Sequence, residues 1–199
     1  MYRLKLFINL SFASGKMPDS LKIARVCPVY KTGDPSDFTN YRPISILPSI
    51  SKIFEKLVYN RLSAYLTKHS ILYKNQYGFR TNHDTCMAVT EMVEKISNAI
   101  DTNCFAIGVF IDLSKAFDTL DHAILLKKLE HYGIRGIPLA WFQSYLTNRY
   151  QYVDYYGVHS VKLKIRTGVP QGSILGPLLF LLYINDIAYV SPKLHLILF

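Results

Sequence analysis

Two segments of the chain carry residues whose types and spacing could do chemistry. The first is an apolar run, Phe105-Ala-Ile-Gly-Val-Phe-Ile111, followed at once by the carboxylate of Asp112. An unbroken apolar run of this length predicts a buried strand over 105–111, with Asp112 at its C-terminal edge. Magnesium prefers oxygen ligands such as carboxylates, so Asp112 is the first candidate for a metal ligand.

The second segment is Gly168-Val-Pro-Gln171-Gly172-Ser-Ile-Leu-Gly-Pro177. Its glycines and prolines predict a turn, and the apolar residues after Pro177 predict a buried helix. Glycine lets a backbone approach a ligand closely, and the amide of Gln171 can donate hydrogen bonds to a phosphate or a sugar. This segment is therefore a candidate binding turn.

Composition limits the function classes that remain. The 199 residues are 50% hydrophobic, enough for a real core in one domain or two small lobes, and the net charge is +9. A basic chain suggests a polyanionic partner, with nucleic acid as the leading candidate. The three cysteines, Cys27, Cys86 and Cys104, are odd in number and widely spaced. This pattern argues against a disulfide framework or a cysteine-paired zinc site and favours a reducing compartment.

No segment predicts export or a membrane anchor. The apolar run Leu6–Leu10 is short and broken by Asn9. The run Ile174–Ile187 is too short to cross a membrane and contains Asn185 and Asp186. We therefore expect an intracellular protein, in the nucleus, the cytoplasm or both, that is neither secreted nor bound to a membrane.

Apolar periodicity and turn residues predict an irregular alternation of helices and strands, which favours an α+β fold. Two amphipathic helices, from Ser49 and over 84–101, are expected to bury their apolar stripes. The remaining predicted elements are helices over 1–15, 121–132, 138–148 and after Pro177, strands over 23–30 and 194–199, an extended segment over 40–48 and a hairpin over 149–166.

The two chemical segments, in this order and spacing, resemble the palm of a reverse transcriptase of the non-LTR, LINE-type retrotransposons. Upstream, the segments 28–34, 40–48 and 76–80 look like the fingers of that family. The resemblance implies a right-hand polymerase architecture, with fingers over 1–103 and an incomplete palm over 104–199, an antiparallel sheet with packed helices. In the family, the apolar run that ends this sequence is followed by Ala-Asp-Asp, so we expect a truncated palm and no thumb.

The resemblance also implies an activity, namely nucleotidyl transfer from dNTPs onto a DNA primer paired with an RNA template. The family uses two Mg²⁺ ions, for which Asp112 is the catalytic metal ligand and the backbone carbonyl of Leu113 a possible co-ligand. Without the family's aspartate pair, the 199-residue chain is expected to be inactive alone. The implied partners are the RNA template, the DNA primer and dNTPs, and the oligomeric state is left open.

Six further residues match functional positions of the family. Phe117 matches the aromatic residue that lies beneath the incoming sugar and blocks a 2′-hydroxyl. Lys31 and Arg42 are implied to grip the triphosphate, Arg42 in bidentate fashion. The remaining matches are Gln171 and Gly172 in nucleotide binding and Arg80 near the template.

Three acidic residues allow other interpretations. Asp118 and Asp121 precede the apolar residues Ala123–Leu126, where a helix N-terminus favours negative charge, so capping is the preferred role. An unrelated metal-dependent nuclease would instead use these two aspartates together with Asp112. A further alternative is a non-catalytic remnant that binds nucleic acid or a protein partner.

Overall fold

Six α-helices and five strands alternate irregularly along residues 2–199, the part of the chain that the computed structural model describes. The α+β prediction is therefore confirmed. In chain order the elements are α1 Tyr2–Ser14, β1 Ile23–Tyr30, β2 Tyr41–Ile46, α2 Ser49–Lys68, α3 Thr85–Asp101, α4 His122–His131, α5 Ile137–Leu146, β3 Arg149–Tyr155, β4 Val158–His159, β5 Leu163–Ile165 and α6 Gly176–Ile184.

Helix α4 begins and ends where its sequence provides the signals. The carboxylate of Asp121 accepts a hydrogen bond from the backbone amide of Ile124 (2.9 Å), which satisfies a free amide of the first turn. Gly133 follows the helix with a positive φ of 90°. The predicted capping role of Asp121 is confirmed.

The sheet is mixed, and it draws strands from both halves of the chain. Strand β1 pairs antiparallel with β2 and parallel with β3. Strand β3 pairs antiparallel with β4 and with β5. The hairpin predicted over 149–166 is present, although its outer strands are short. Strands before and after position 104 thus belong to one sheet, in which β1 lies between β2 and β3.

The two strands predicted for an antiparallel palm sheet do not form, and that prediction was wrong. Residues 105–111 form no regular secondary structure and pair with no strand among residues 2–199. Residues 194–199 make only an isolated bridge between Leu198 and Gln76. A strand is stable only when neighbours satisfy its backbone and cover its side chains. Here Phe105 is fully exposed and Ile107 is 90% exposed, so Asp112 does not end a buried strand.

The hydrophobic core lies among the helices, and Val169 of the glycine-rich turn belongs to it. Helices α2, α4, α5 and α6 supply most of its buried side chains. The α3 stripe predicted to be buried is instead exposed, with Val93 at 51% and Ile100 at 66%.

Among residues 2–199, no helix is long and apolar enough to cross a membrane.

Candidate functional site

Residues 117–122, which follow the first of the two chemical segments, contact the start of the second segment through hydrogen bonds. The amide of Gly168 donates to the carbonyl of Leu120 (2.7 Å), and the amide of Val169 donates to the carbonyl of Phe117 (2.8 Å). The ring of His122 adds a third contact, because its Nε2 donates to the carbonyl of Gly168 (2.7 Å). Residues 117–122, here called the Phe117 turn, and the binding turn that begins at Gly168, here called the Gly168 turn, are therefore joined by hydrogen bonds.

Gly168 is the residue that allows this close approach. Its φ of +81° is one that side chains other than glycine rarely adopt. A Cβ at this position would lie 2.6 Å from the carbonyl oxygen of Phe117 and 2.7 Å from the Cα of Asp118. Both the backbone conformation and the contact exclude a larger residue.

A second backbone contact ties the same turn to the sheet. The amide of Ser45, in β2, donates to the carbonyl of Gln171 (2.7 Å). Gly172 has a φ of +106°, and a Cβ there would lie 2.8 Å from the carbonyl oxygen of Ser45. Because β2 also carries Arg42, this contact sets the distance between Arg42 and the turn.

The third support of the turn comes from a buried carboxylate on α2. The amide of Ile174 donates to Oε2 of Glu55 (2.7 Å), and the hydroxyl of Tyr145 donates to Oε1 (2.9 Å). Glu55 is fully buried, and this burial raises the pKa of its carboxyl group, against the opposing effects of Ile174, Tyr145 and the nearby Arg149. Just beyond, the hydroxyl of Ser173 accepts a hydrogen bond from the amide of Gly176, the first residue of α6 (3.0 Å).

An open cavity of about 1450 Å³ lies between the sheet and the two turns. Phe117 forms part of its wall, with its ring centroid 5.3 Å from that of Phe180 and 6.1 Å from that of Phe79. Basic groups come from Arg42 and Lys115. The other residues of the wall include Pro28, Phe38, Tyr41, Asp118, Tyr155, Gln171, Gly172 and Ser173.

The electrostatics of the cavity suit an anionic ligand that also carries an apolar or ring portion. The guanidinium of Arg42 is exposed and can bind a phosphate with two parallel hydrogen bonds. Partial burial raises the pKa of Asp118, although the nearby Lys115 opposes that shift.

Four of the five residues predicted to bind nucleotide line this one cavity: Arg42, Phe117, Gln171 and Gly172. Lys31 does not. It is exposed after the end of β1, and its amide donates to the carbonyl of Asn40 (2.8 Å). Arg80 also lies outside the cavity wall, and its Nη1 donates to the carbonyls of Tyr73 and Lys74, both at 3.2 Å.

Asp112 and Leu113 are exposed, and neither lines the cavity. Within residues 2–199, no three histidine, cysteine, aspartate or glutamate side chains come together as a group that could hold a metal ion. Asp112, Asp118 and Asp121 therefore form no such group either. One exposed carboxylate is not a two-ion site, so the described residues do not fit the expected pair of Mg²⁺ ions.

Glu55 is the residue of this site that the apolar pattern does not indicate, because a charged residue of an amphipathic helix is expected on its exposed face. The spacing of residues along α2 nevertheless indicates that Glu55 is buried. Glu55 lies four residues after Ser51 and seven before Leu62, which places it on the buried side of the helix. Its partners Tyr145 and Arg149 are also four residues apart, and both are fully buried.

Comparison with known proteins gives a consistent family. Residues 29–199 match the family described as reverse transcriptase (RNA-dependent DNA polymerase). The probable RNA-directed DNA polymerase from transposon BS of Drosophila melanogaster is 35% identical over 191 residues, 92% of this chain and 20% of that protein. The probable polymerase from transposon X-element of the same species is 36% identical over 182 residues, 89% of this chain and 20% of that protein.

A third relative is the RNA-directed DNA polymerase from mobile element jockey of Drosophila melanogaster, which is 35% identical over 190 residues. That match covers 95% of this chain and 21% of the relative, so the chain spans about a fifth of the length of these proteins. The chain belongs to the reverse transcriptase family, in the group encoded by non-LTR retrotransposons.

Proposed function

We propose that the cavity binds the incoming deoxynucleoside triphosphate of a reverse transcriptase domain. In the complete enzyme this site would serve nucleotidyl transfer onto a DNA primer paired with an RNA template. One observation carries the proposal: backbone hydrogen bonds join the Phe117 turn to the Gly168 turn, and the joined turns and β2 bring Phe117, Gln171 and Arg42 to one cavity.

Each of these residues has a role that its chemistry supports. The guanidinium of Arg42 would bind the triphosphate, since its planar group matches two phosphate oxygens. The ring of Phe117 would lie beneath the sugar and leave no room for a 2′-hydroxyl. The amide of Gln171 would donate to sugar or phosphate, while the missing side chain of Gly172 would let the backbone approach.

The chemical step itself is assigned to no residue of this chain. Members of the family generally depend on metal ions, and Asp112 with the carbonyl of Leu113 is the ligand pair that the family resemblance implies. Within residues 2–199 the acidic side chains do not gather into a metal-binding group. We therefore propose that the 199-residue polypeptide binds nucleotide but does not extend a primer.

The partners and the architecture follow from the same proposal. A net charge of +9 supplies contacts to the phosphates of an RNA template and a DNA primer, with affinity that falls as salt rises. Residues 1–103 would correspond to the fingers and residues 104–199 to part of the palm. Arg80 and Lys31 would contact template and triphosphate only after a rearrangement that brings them to the cavity.

Titration of the 199-residue polypeptide with MANT-dATP, a fluorescent deoxynucleotide, tests the proposal. We expect saturable binding that Arg42→Ala weakens about tenfold, because a charged hydrogen-bonding partner of the phosphates is lost. Arg135→Ala is the matched control, since Arg135 is exposed and outside the cavity wall. Absence of saturable binding, or equal weakening by both substitutions, would refute the proposal.

A further inference from the structure

The buried carboxylate of Glu55 contacts the binding turn at the amide of Ile174, and neither residue lines the cavity. The turn is held at three places: the amide of Val169 binds Phe117, the carbonyl of Gln171 binds Ser45, and the amide of Ile174 binds Glu55. Backbone atoms make the first two contacts, whereas a side chain makes the third. A substitution can therefore remove the third contact alone.

Several groups around Glu55 oppose the effect of its burial and favour the charged form of its carboxyl group. Ile174 lies just before α6, where the free amides of a helix N-terminus attract negative charge. Arg149, fully buried on β3, stacks over the ring of Tyr145 at 4.8 Å and donates through Nη1 to its carbonyl. Its Nε and Nη2 have no hydrogen-bond partner among the described residues. The positive charge of Arg149 lies close enough to Glu55 to favour the charged form of the carboxyl group. Lys52, the other charged group that acts on Glu55, is exposed one turn earlier on α2.

We propose that Glu55 is a positioning residue for the cavity: by holding the amide of Ile174 it fixes Gln171 and Gly172 at the cavity wall. The part of this proposal that concerns nucleotide affinity rests on the proposed function. The part that concerns the position of the turn does not rest on the proposed function. Tyr145, which binds the other oxygen of the same carboxylate, is the natural comparison, because its loss leaves the bond to Ile174 intact.

Three variants separate positioning from general structural support. Glu55→Ala removes both hydrogen bonds of the carboxylate. Glu55→Gln can restore them, because its amide oxygen can accept from Ile174 and its NH₂ group can donate to the hydroxyl oxygen of Tyr145. Tyr145→Phe removes only the hydroxyl. If Glu55→Ala does not fold, Glu55→Asp takes its place, because it keeps a negative charge near Arg149 but is too short to reach Ile174.

The readouts are hydrogen exchange of the Ile174 amide, measured against amides of the core helix α4, and affinity for MANT-dATP. In Glu55→Ala we expect Ile174 to exchange about tenfold faster with α4 unchanged, and the affinity to fall about tenfold, as for one lost hydrogen bond to a charged group. Glu55→Gln and Tyr145→Phe should stay within about threefold of the original protein in both measurements.

Two results would overturn the proposal. One is exchange at Ile174 that rises no more than exchange in α4, and the other is Glu55→Gln or Tyr145→Phe behaving like Glu55→Ala. The proposed function fails separately, because an original polypeptide that does not bind MANT-dATP refutes nucleotide binding. In that case the exchange at Ile174 still decides whether Glu55 holds the turn.

Discussion

The binding turn over 168–176 and the segment over 105–113 differ in how they are held. The turn is fixed by hydrogen bonds from residues 117–122, from β2 and from α2. The segment pairs with no strand among residues 2–199, and its apolar side chains are exposed, with Phe110 at 84% and Ile111 at 77%.

The difference supports the proposal that these residues form the nucleotide-binding part of a polymerase site and not its metal-binding part. A cavity wall for a nucleotide needs groups fixed within a fraction of an ångström, and the turn has contacts on three sides that can fix them. A metal site needs several oxygen ligands at fixed distances, and an exposed aspartate on an unpaired segment cannot hold an ion that way. We therefore propose that nucleotide binding is separable from catalysis in this polypeptide.

The largest expected effect comes from removing the close approach that joins the two turns. We expect Gly168→Ala to lower the free energy of unfolding by about 3 kcal/mol, since it combines an unfavourable φ with a clash against Phe117 and Asp118. Gly157→Ala is the matched control, with a similar φ of +84° but no atom within 4 Å of the added Cβ. It should cost about 1 kcal/mol. Equal costs in urea denaturation would mean that the two turns are not in contact.

A smaller effect concerns pH and the carboxylate beneath the turn. Burial raises the pKa of Glu55 above its ordinary value of 4.5, so between 4.5 and the raised pKa the folded state binds more protons than the unfolded state. This group's contribution to stability is therefore greatest below pH 4.5 and is lost as pH rises through the raised pKa. Glu55→Gln lacks this titration.

Urea denaturation from pH 4 to 7 measures the effect. The free energy of unfolding of the original protein minus that of Glu55→Gln should decrease as pH rises. The groups that act on Glu55, namely Tyr145, Arg149 and Lys52, are the same in both proteins. A difference that stays constant, or that grows with pH, would show that burial does not dominate the titration of Glu55.

The smallest effect on stability is expected in the exposed segment. Ile107 is 90% exposed, so Ile107→Lys should change the free energy of unfolding by less than about 0.5 kcal/mol. Leu179→Ala, in the core of α6 at 0% exposure, should cost about 2–5 kcal/mol. Because contiguous exposed apolar residues favour self-association, Ile107→Lys should also reduce light scattering of concentrated protein. A cost above about 1 kcal/mol would show that the segment is packed.

The same contrast explains what could be predicted from the sequence. The turn was predictable because glycines and prolines specify backbone conformation locally, and Gly168 and Gly172 do have positive φ values. The strand over 105–111 was not, because an apolar run becomes a strand only when partner strands are available. The α3 stripe was assigned to the core for a similar reason, since periodicity shows that a face is apolar but not what covers it.

The side chains of the site also differ in whether their positions could be predicted from the sequence. Phe117, Gln171 and Gly172 were predictable as one set because they lie in two short motifs, and Arg42 joins them through β2. Glu55 could not be found from residue type, because charged residues on a helix are usually exposed. Its burial depends on Tyr145 and Arg149, which lie about ninety residues away along the chain.

The most direct test of the account is a map of the backbone amides that MANT-dATP protects from hydrogen exchange in the 199-residue polypeptide. If the joined turns form the nucleotide site, protection will appear at the amides of residues 117–118 and 171–173 and near Arg42, while residues 105–113 exchange as fast as in the free protein. Protection confined to residues 105–113, or no protection at either turn, would contradict it.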